Sequence, residues 1–128
     1  MAAQPNERAL LTMLIMRLRD ADADVFVGHN FSAFDLDVLL HRMQALKVPH
    51  WSSLGRLKRS KFPSLSGGGH SFGGGASAGA LSVIAGRLLC DTYLAARDLV
   101  KETEYTLSTL SKNLLGETRS ELAIADIP

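Results

Sequence analysis

The chain has 128 residues, 46% of them hydrophobic and 21% charged, with a formal net charge of +1. That is one domain's worth of sequence, apolar enough for a modest core and too apolar for a disordered segment. The single cysteine excludes a disulfide framework and suits a reducing compartment. No apolar stretch is long enough to span a bilayer and the N-terminus lacks a secretory pattern, so a soluble intracellular protein with no membrane partner is expected.

Asn6 is placed to cap a helix running to about Asp20, with Leu10, Leu11, Leu14, Ile15 and Leu18 as its apolar stripe. Val25-Phe26-Val27, between Asp24 and Gly28, is a short β-branched and aromatic run that predicts a buried strand. Leu36, Leu39, Leu40 and Met43 then recur at helical spacing, predicting a helix from about Phe34 to Leu46 that Pro49 ends. From His50 to Val83 the periodicity fails. Trp51 to Pro63 is basic and semi-aromatic, and Ser64 to Ala80 is a Gly/Ser tract, with residues 66–80 expected to form a flexible insertion. Ile84 to Cys90 predicts a second strand ending at Asp91, with Cys90 a buried, inert thiol. A helix from about Thr92 to Val100 follows. Thr106 then caps a short helix bearing Leu107, Leu110 and Leu114, stopped by Gly116.

This alternation is α/β, helix-rich and with few strands. Two strands make a poor sheet, since sheets usually hold about four to six. The chain is therefore expected to be a piece of a larger α/β domain, and its unpaired edges and apolar faces should favour self-association of the isolated piece.

The run from Gly28 to Asp35 places Asn30 and Asp35 just past a strand, where open α/β sheets collect ligands. Asp91 follows the second predicted strand, so Asp35 and Asp91 could share one rim and hold a hard cation such as Mg²⁺. The competing reading is that each aspartate caps the helix after it. It outweighs metal binding for Asp91 and balances it for Asp35. Two carboxylates are too few for two-metal phosphoryl chemistry, and Asp37 faces elsewhere on its helix. His29 lies near the rim, His41 on an exposed helix face, and His50 and His70 in loops; no pair has zinc-ligand spacing. There is no serine-nucleophile elbow, and the glycine runs lack the Lys-Ser/Thr of a phosphate-binding loop.

Arg56, Lys58, Arg59 and Lys61 put four positive charges within six residues, flanked by Trp51 and Phe62. Such cations can neutralise phosphates while the aromatics stack on unpaired bases. Alternatively the segment is a solvated loop whose aromatics tuck back onto the domain.

Taken together, these segments resemble the exonuclease-like domain of eukaryotic B-family DNA polymerases, the alpha branch above all. DVFVGHNFSAFDLDVLL (Asp24 to Leu40) is similar to the family's second exonuclease motif, in which an Asn and a Phe-Asp pair, here Asn30 and Phe34-Asp35, follow a strand. WSSLGRLKRSKFP (Trp51 to Pro63) resembles a segment particular to the alpha branch. GRLLCD (Gly86 to Asp91) and YTLSTLSKNLLG (Tyr105 to Gly116) match the order of elements leading to the third motif. The likeness covers nearly the whole chain apart from the Gly-rich tract.

The resemblance implies that residues 1–128 are a fragment of a ribonuclease-H-like domain, inert by itself, from a nuclear enzyme that replicates DNA. It assigns Asp35 to the metal-binding Asp of the second motif, supported by Asn30 and Phe34. The first motif would precede Met1 and the third would follow Pro128. The polymerizing enzyme would require Mg²⁺, with none held by the fragment, and would contact DNA through Arg56, Lys58, Arg59 and Lys61. Primase and accessory polymerase subunits are its implied partners. The alpha branch is regarded as having lost proofreading by decay of acidic positions, and Asp35 keeps one of them. An active metal-dependent 3′–5′ exonuclease, and a binding or scaffold module unrelated to polymerases, are the alternatives.

Overall fold

The computed structural model describes residues 6–65, 78–120 and 123. Helix α1 (Glu7–Ala21) begins where expected, the Asn6 side chain accepting from the Ala9 N–H at 2.9 Å. It stops at Asp22, which adopts the left-handed conformation (φ 41°, ψ 39°) and closes the last turn on the Leu18 and Arg19 carbonyls. Strand β1 (Val25–Gly28) leads into a wide π-helical turn, Phe31–Asp35, which runs without a break into α2 (Leu36–Ala45). A 3₁₀ turn occupies Trp51–Leu54. Beyond it come the single turn α3 (Ala78–Leu81), a 3₁₀ turn over Ser82–Ile84, and strand β2 (Leu88–Asp91). Helix α4 (Thr92–Leu99) and the short α5 (Leu107–Leu110), prolonged by a π-helical turn over Ser111–Leu115, complete the chain. Thr106 caps α5, and Gly116 ends its extension in the left-handed conformation, both as predicted.

The two strands are parallel, in the register Val25 to Leu88, Phe26 to Leu89, Val27 to Cys90 and Gly28 to Asp91. Because side chains alternate across a strand, the Phe26–Leu89 pair faces the core while Val25, Val27, Leu88 and Cys90 share the other face. That other face is open. Val27 is 67% exposed and Leu88 70%, and Cys90 is exposed as well. The buried thiol expected from the Leu88-Leu89-Cys90 run is thus corrected: an apolar strand residue is buried only if something covers its face.

The core lies between the inner sheet face, α1 and α2. Leu11 and Ile15 come from α1, and Leu36, Leu40 and Met43 from α2. Val48, Leu54, Ala80, Val83 and Ile84 fill the rest, all from the stretch where periodicity failed or at its borders. The strand predicted from Ile84 starts only at Leu88, since Ile84 is in a 3₁₀ turn and 5% exposed in the core. Of the flexible insertion expected over 66–80, residues 66–77 lie outside the described residues, and Ala80 is a helical core residue, 2% exposed. Among the described residues, no helix is long and apolar enough to cross a membrane.

Candidate functional site

Asp91 stands at the tip of β2, and the neighbouring strand tip wraps around it. Its Oδ1 accepts from the backbone N–H of Asn30 at 2.8 Å and of Tyr93 at 3.1 Å. Its Oδ2 accepts from the Ser32 N–H at 3.0 Å and the Ser32 hydroxyl at 2.8 Å. A carboxylate offers about four lone-pair positions, so these donors use them all. Burial alone would push the Asp91 carboxyl up, but the bonds from Ser32, Asn30 and Tyr93 outweigh it and hold the group below the usual carboxylate range. One carboxylate thereby satisfies the free N–H groups at the start of both the turn leading into α2 and α4, where helix dipoles also favour negative charge. The capping reading of Asp91 is the one realised, each of its oxygens accepting two bonds from N–H or O–H groups.

Asn30 takes part through its backbone, in the left-handed conformation (φ 57°, ψ 26°) that turns the strand toward the helix. Asparagine tolerates this better than most residues do. Asp35 is exposed and lies inside a continuous helical segment, with αR dihedrals and no side-chain capping bond, so the cap expected of it is absent. Phe34 beside it is 53% exposed. No hydrogen bond or ion pair joins the Asp35 side chain to another described residue, and Asp37 is engaged with His41 at 3.3 Å. The structure brings Asn30 and Asp91 together and leaves Asp35 apart from them. No group of three or more His, Cys, Asp or Glu side chains able to hold a metal occurs among the described residues.

His29 is a fastener rather than a ligand. Its Nε2 lies 2.9 Å from the Tyr105 carbonyl, so this nitrogen carries the proton, and its Nδ1 lies 3.1 Å from the Thr92 hydroxyl. The ring also meets Tyr93 edge-on, and Tyr93 in turn meets Tyr105, joining β1, α4 and the approach to α5. Sequence reasoning missed Ser32, whose only sign was its place two residues after Asn30.

The basic segment divides. Arg56 lies 3.0 Å from Asp22 and 2.7 Å from Asp24, and donates to the Asp22 carbonyl at 2.9 Å. The hydrogen bond from Arg56 is the main reason the Asp22 carboxyl sits below its ordinary range. Arg87, also missed by sequence reasoning, has its side chain only 2% exposed. It donates to the carbonyls of Leu54 and Ala23, pairs with Asp22 at 3.1 Å and lies over the Phe26 ring. Arg56, expected to contact DNA, is thus held by two acidic partners. Lys58, Arg59 and Lys61 are exposed and form no ion pair with another described residue. The Trp51 and Phe62 rings meet at a 59° tilt, centroids 4.7 Å apart, and both pack against the core. The reading in which the aromatics tuck back onto the domain is the one seen.

Residues 2–110 match the DNA polymerase family B exonuclease domain. The chain belongs to that family. It is 54% identical over 130 aligned residues to the DNA polymerase alpha catalytic subunit of Oryza sativa subsp. japonica and 53% identical to that of Arabidopsis thaliana, in each case across 100% of this chain. To the corresponding subunit of Mus musculus it is 36% identical over 114 residues, 89% of the chain. The chain spans only about 8% of the length of the plant relatives and 7% of the mouse one. The likeness to the alpha branch argued from the second motif and the WSSLGRLKRSKFP segment is thus established.

Proposed function

We propose that this chain is a non-cleaving piece of the exonuclease-like domain of a DNA polymerase alpha catalytic subunit, serving a nuclear, DNA-replicating enzyme as scaffold. The observation that carries this is the saturation of Asp91: with its oxygens committed to two helix starts, Asp35 is the one carboxylate left of the expected pair. Two-metal hydrolysis needs both ions held about 4 Å apart, and one carboxylate cannot hold the pair by itself. A ribonuclease-H-like fold for the complete domain is supported by the family match and by a parallel strand pair backed by helices. Deoxynucleotide transfer, its Mg²⁺, and contacts with primase and accessory subunits belong on this reading to parts of the relatives that this chain does not span.

The test is incubation of the chain with single-stranded DNA and Mn²⁺ or Mg²⁺. No shortening is expected, and neither ion should raise the melting temperature. Metal-dependent shortening lost in Asp35→Ala would overturn the reading. The openness of Asp35 favours one rival, a nuclease site completed by carboxylates elsewhere in the protein. Exonuclease activity of the full-length protein, abolished by Asp35→Ala, would establish that rival.

A further inference from the structure

We infer that the segment from Lys58 to Lys61 is a rigidly mounted contact for the phosphate backbone of duplex DNA, in which three cations bind and Arg56 does not. This rests on the polymerase reading above and names the partner of one surface within it.

The mounting is visible on both sides of the segment. Before it, the N–H groups of Arg56 and Leu57 donate to the Ala85 carbonyl at 2.9 and 3.4 Å, and the Arg56 guanidinium is held by Asp22 and Asp24. After it, Phe62 meets the Trp51 ring at a tilt and packs against the core. Between these fixed points Lys58, Arg59 and Lys61 project without an ionic partner among the described residues. A loop held at both ends gives up little conformational freedom on binding.

The choice of duplex follows from what the segment lacks. Proteins that hold unpaired strands combine cations with aromatic faces on which bases stack. The two aromatics flanking this segment are spent on each other and on the core. What remains is charge, and charge selects the denser polyanion. Lys58 and Lys61, three residues apart, reach at most about 11 Å. Over that length a duplex presents roughly six phosphate charges and a single strand about half as many. Contact of this kind carries no base readout, so the preference should be indifferent to sequence.

The experiment is fluorescence anisotropy of labelled duplex and single-stranded DNA titrated with the full chain over a range of salt. Duplex should bind more tightly, with a log–log salt slope of about −2.7 for three phosphate contacts. Lys58→Ala, Arg59→Ala and Lys61→Ala should each flatten the slope by about 0.9. Arg56→Ala should leave it near the parent value, and Trp51 fluorescence should not change on binding. Tighter single-strand binding with Trp51 quenching, no duplex binding, or a slope loss in Arg56→Ala equal to that in Lys58→Ala would each overturn the inference. If Arg56→Ala fails to fold, the three exposed substitutions decide alone. Absence of DNA binding leaves the non-cleaving reading intact, because that rests on the carboxylates; nuclease activity would have the opposite effect.

Discussion

Asp91 shows how one side chain can carry two structural tasks that would otherwise fall to separate residues. Its carboxylate is the shared cap of two helical segments, and removing it leaves buried donors at both. Asp91→Ala should therefore cost about 2–4 kcal/mol of folding stability, measurable by urea denaturation. The sign of the pH dependence follows from its depressed folded value. The unfolded chain takes up the proton first as pH falls, near about 3.9. The stabilisation from Asp91 is therefore complete above that range and is lost as pH drops through the lower folded value. The stability gap between the parent and Asp91→Asn should be constant near neutrality and narrow in acid; a gap that widens in acid would contradict the assignment. The capping role of Asp91 could be read from its place before a helix. Its second set of donors could not, because Asn30 and Ser32 are about sixty positions away and meet it only through the parallel register.

Among the elements, the connection between α2 and β2 departs most from the sequence pattern. Helices α1 and α2 follow their apolar spacing, and their caps and stops are local chemistry. The described parts of the stretch from Trp51 to Ile84, residues 51–65 and 78–84, have no period because they pack as short turns, each held by contacts made elsewhere. Gly55 illustrates this. Its backbone is extended (φ −96°), yet a Cβ there would meet the Ala85 carbonyl oxygen at 2.8 Å and the Ala85 nitrogen at 3.1 Å. Gly116 is the converse, with φ +71° and nothing within 4 Å of an added Cβ. Gly116→Ala should cost about 1–2 kcal/mol through backbone strain alone. Gly55→Ala should cost as much or more, about 1–3 kcal/mol, by forcing backbone apart. Thermal melts of the two variants check both. Arg87 ties the same connection to the sheet, and it was invisible in sequence because one arginine beside a glycine looks like any surface cation.

At the level of the molecule, the decisive fact is a sheet of two strands with one face bare among the described residues. Val25, Val27 and Leu88, together with Leu94 of α4 at 42% exposure, make an apolar surface beside which lies a groove of about 720 Å³. In the isolated chain such a surface should drive concentration-dependent association, seen by sedimentation, and Val27→Lys or Leu88→Lys should reduce it. Cys90 sits on that face, so at concentrations where the chain is monomeric it should react with a thiol reagent nearly as fast as in urea. Protection of Cys90 in the native chain would show that the face is covered.

Local chemistry fixed the long helices, the caps at Asn6 and Thr106, the presence of both strands, the family likeness and the position of the strand tips. All of these depend on residues within a turn or two of one another, or on a pattern of period two or three and a half. Which carboxylate was consumed, which arginine was an anchor, and which face of β2 was bare depended on partners thirty to sixty residues away. Hydrogen bonds and ion pairs act over a few ångströms of space, and distance along the chain says little about them until the fold has set the register.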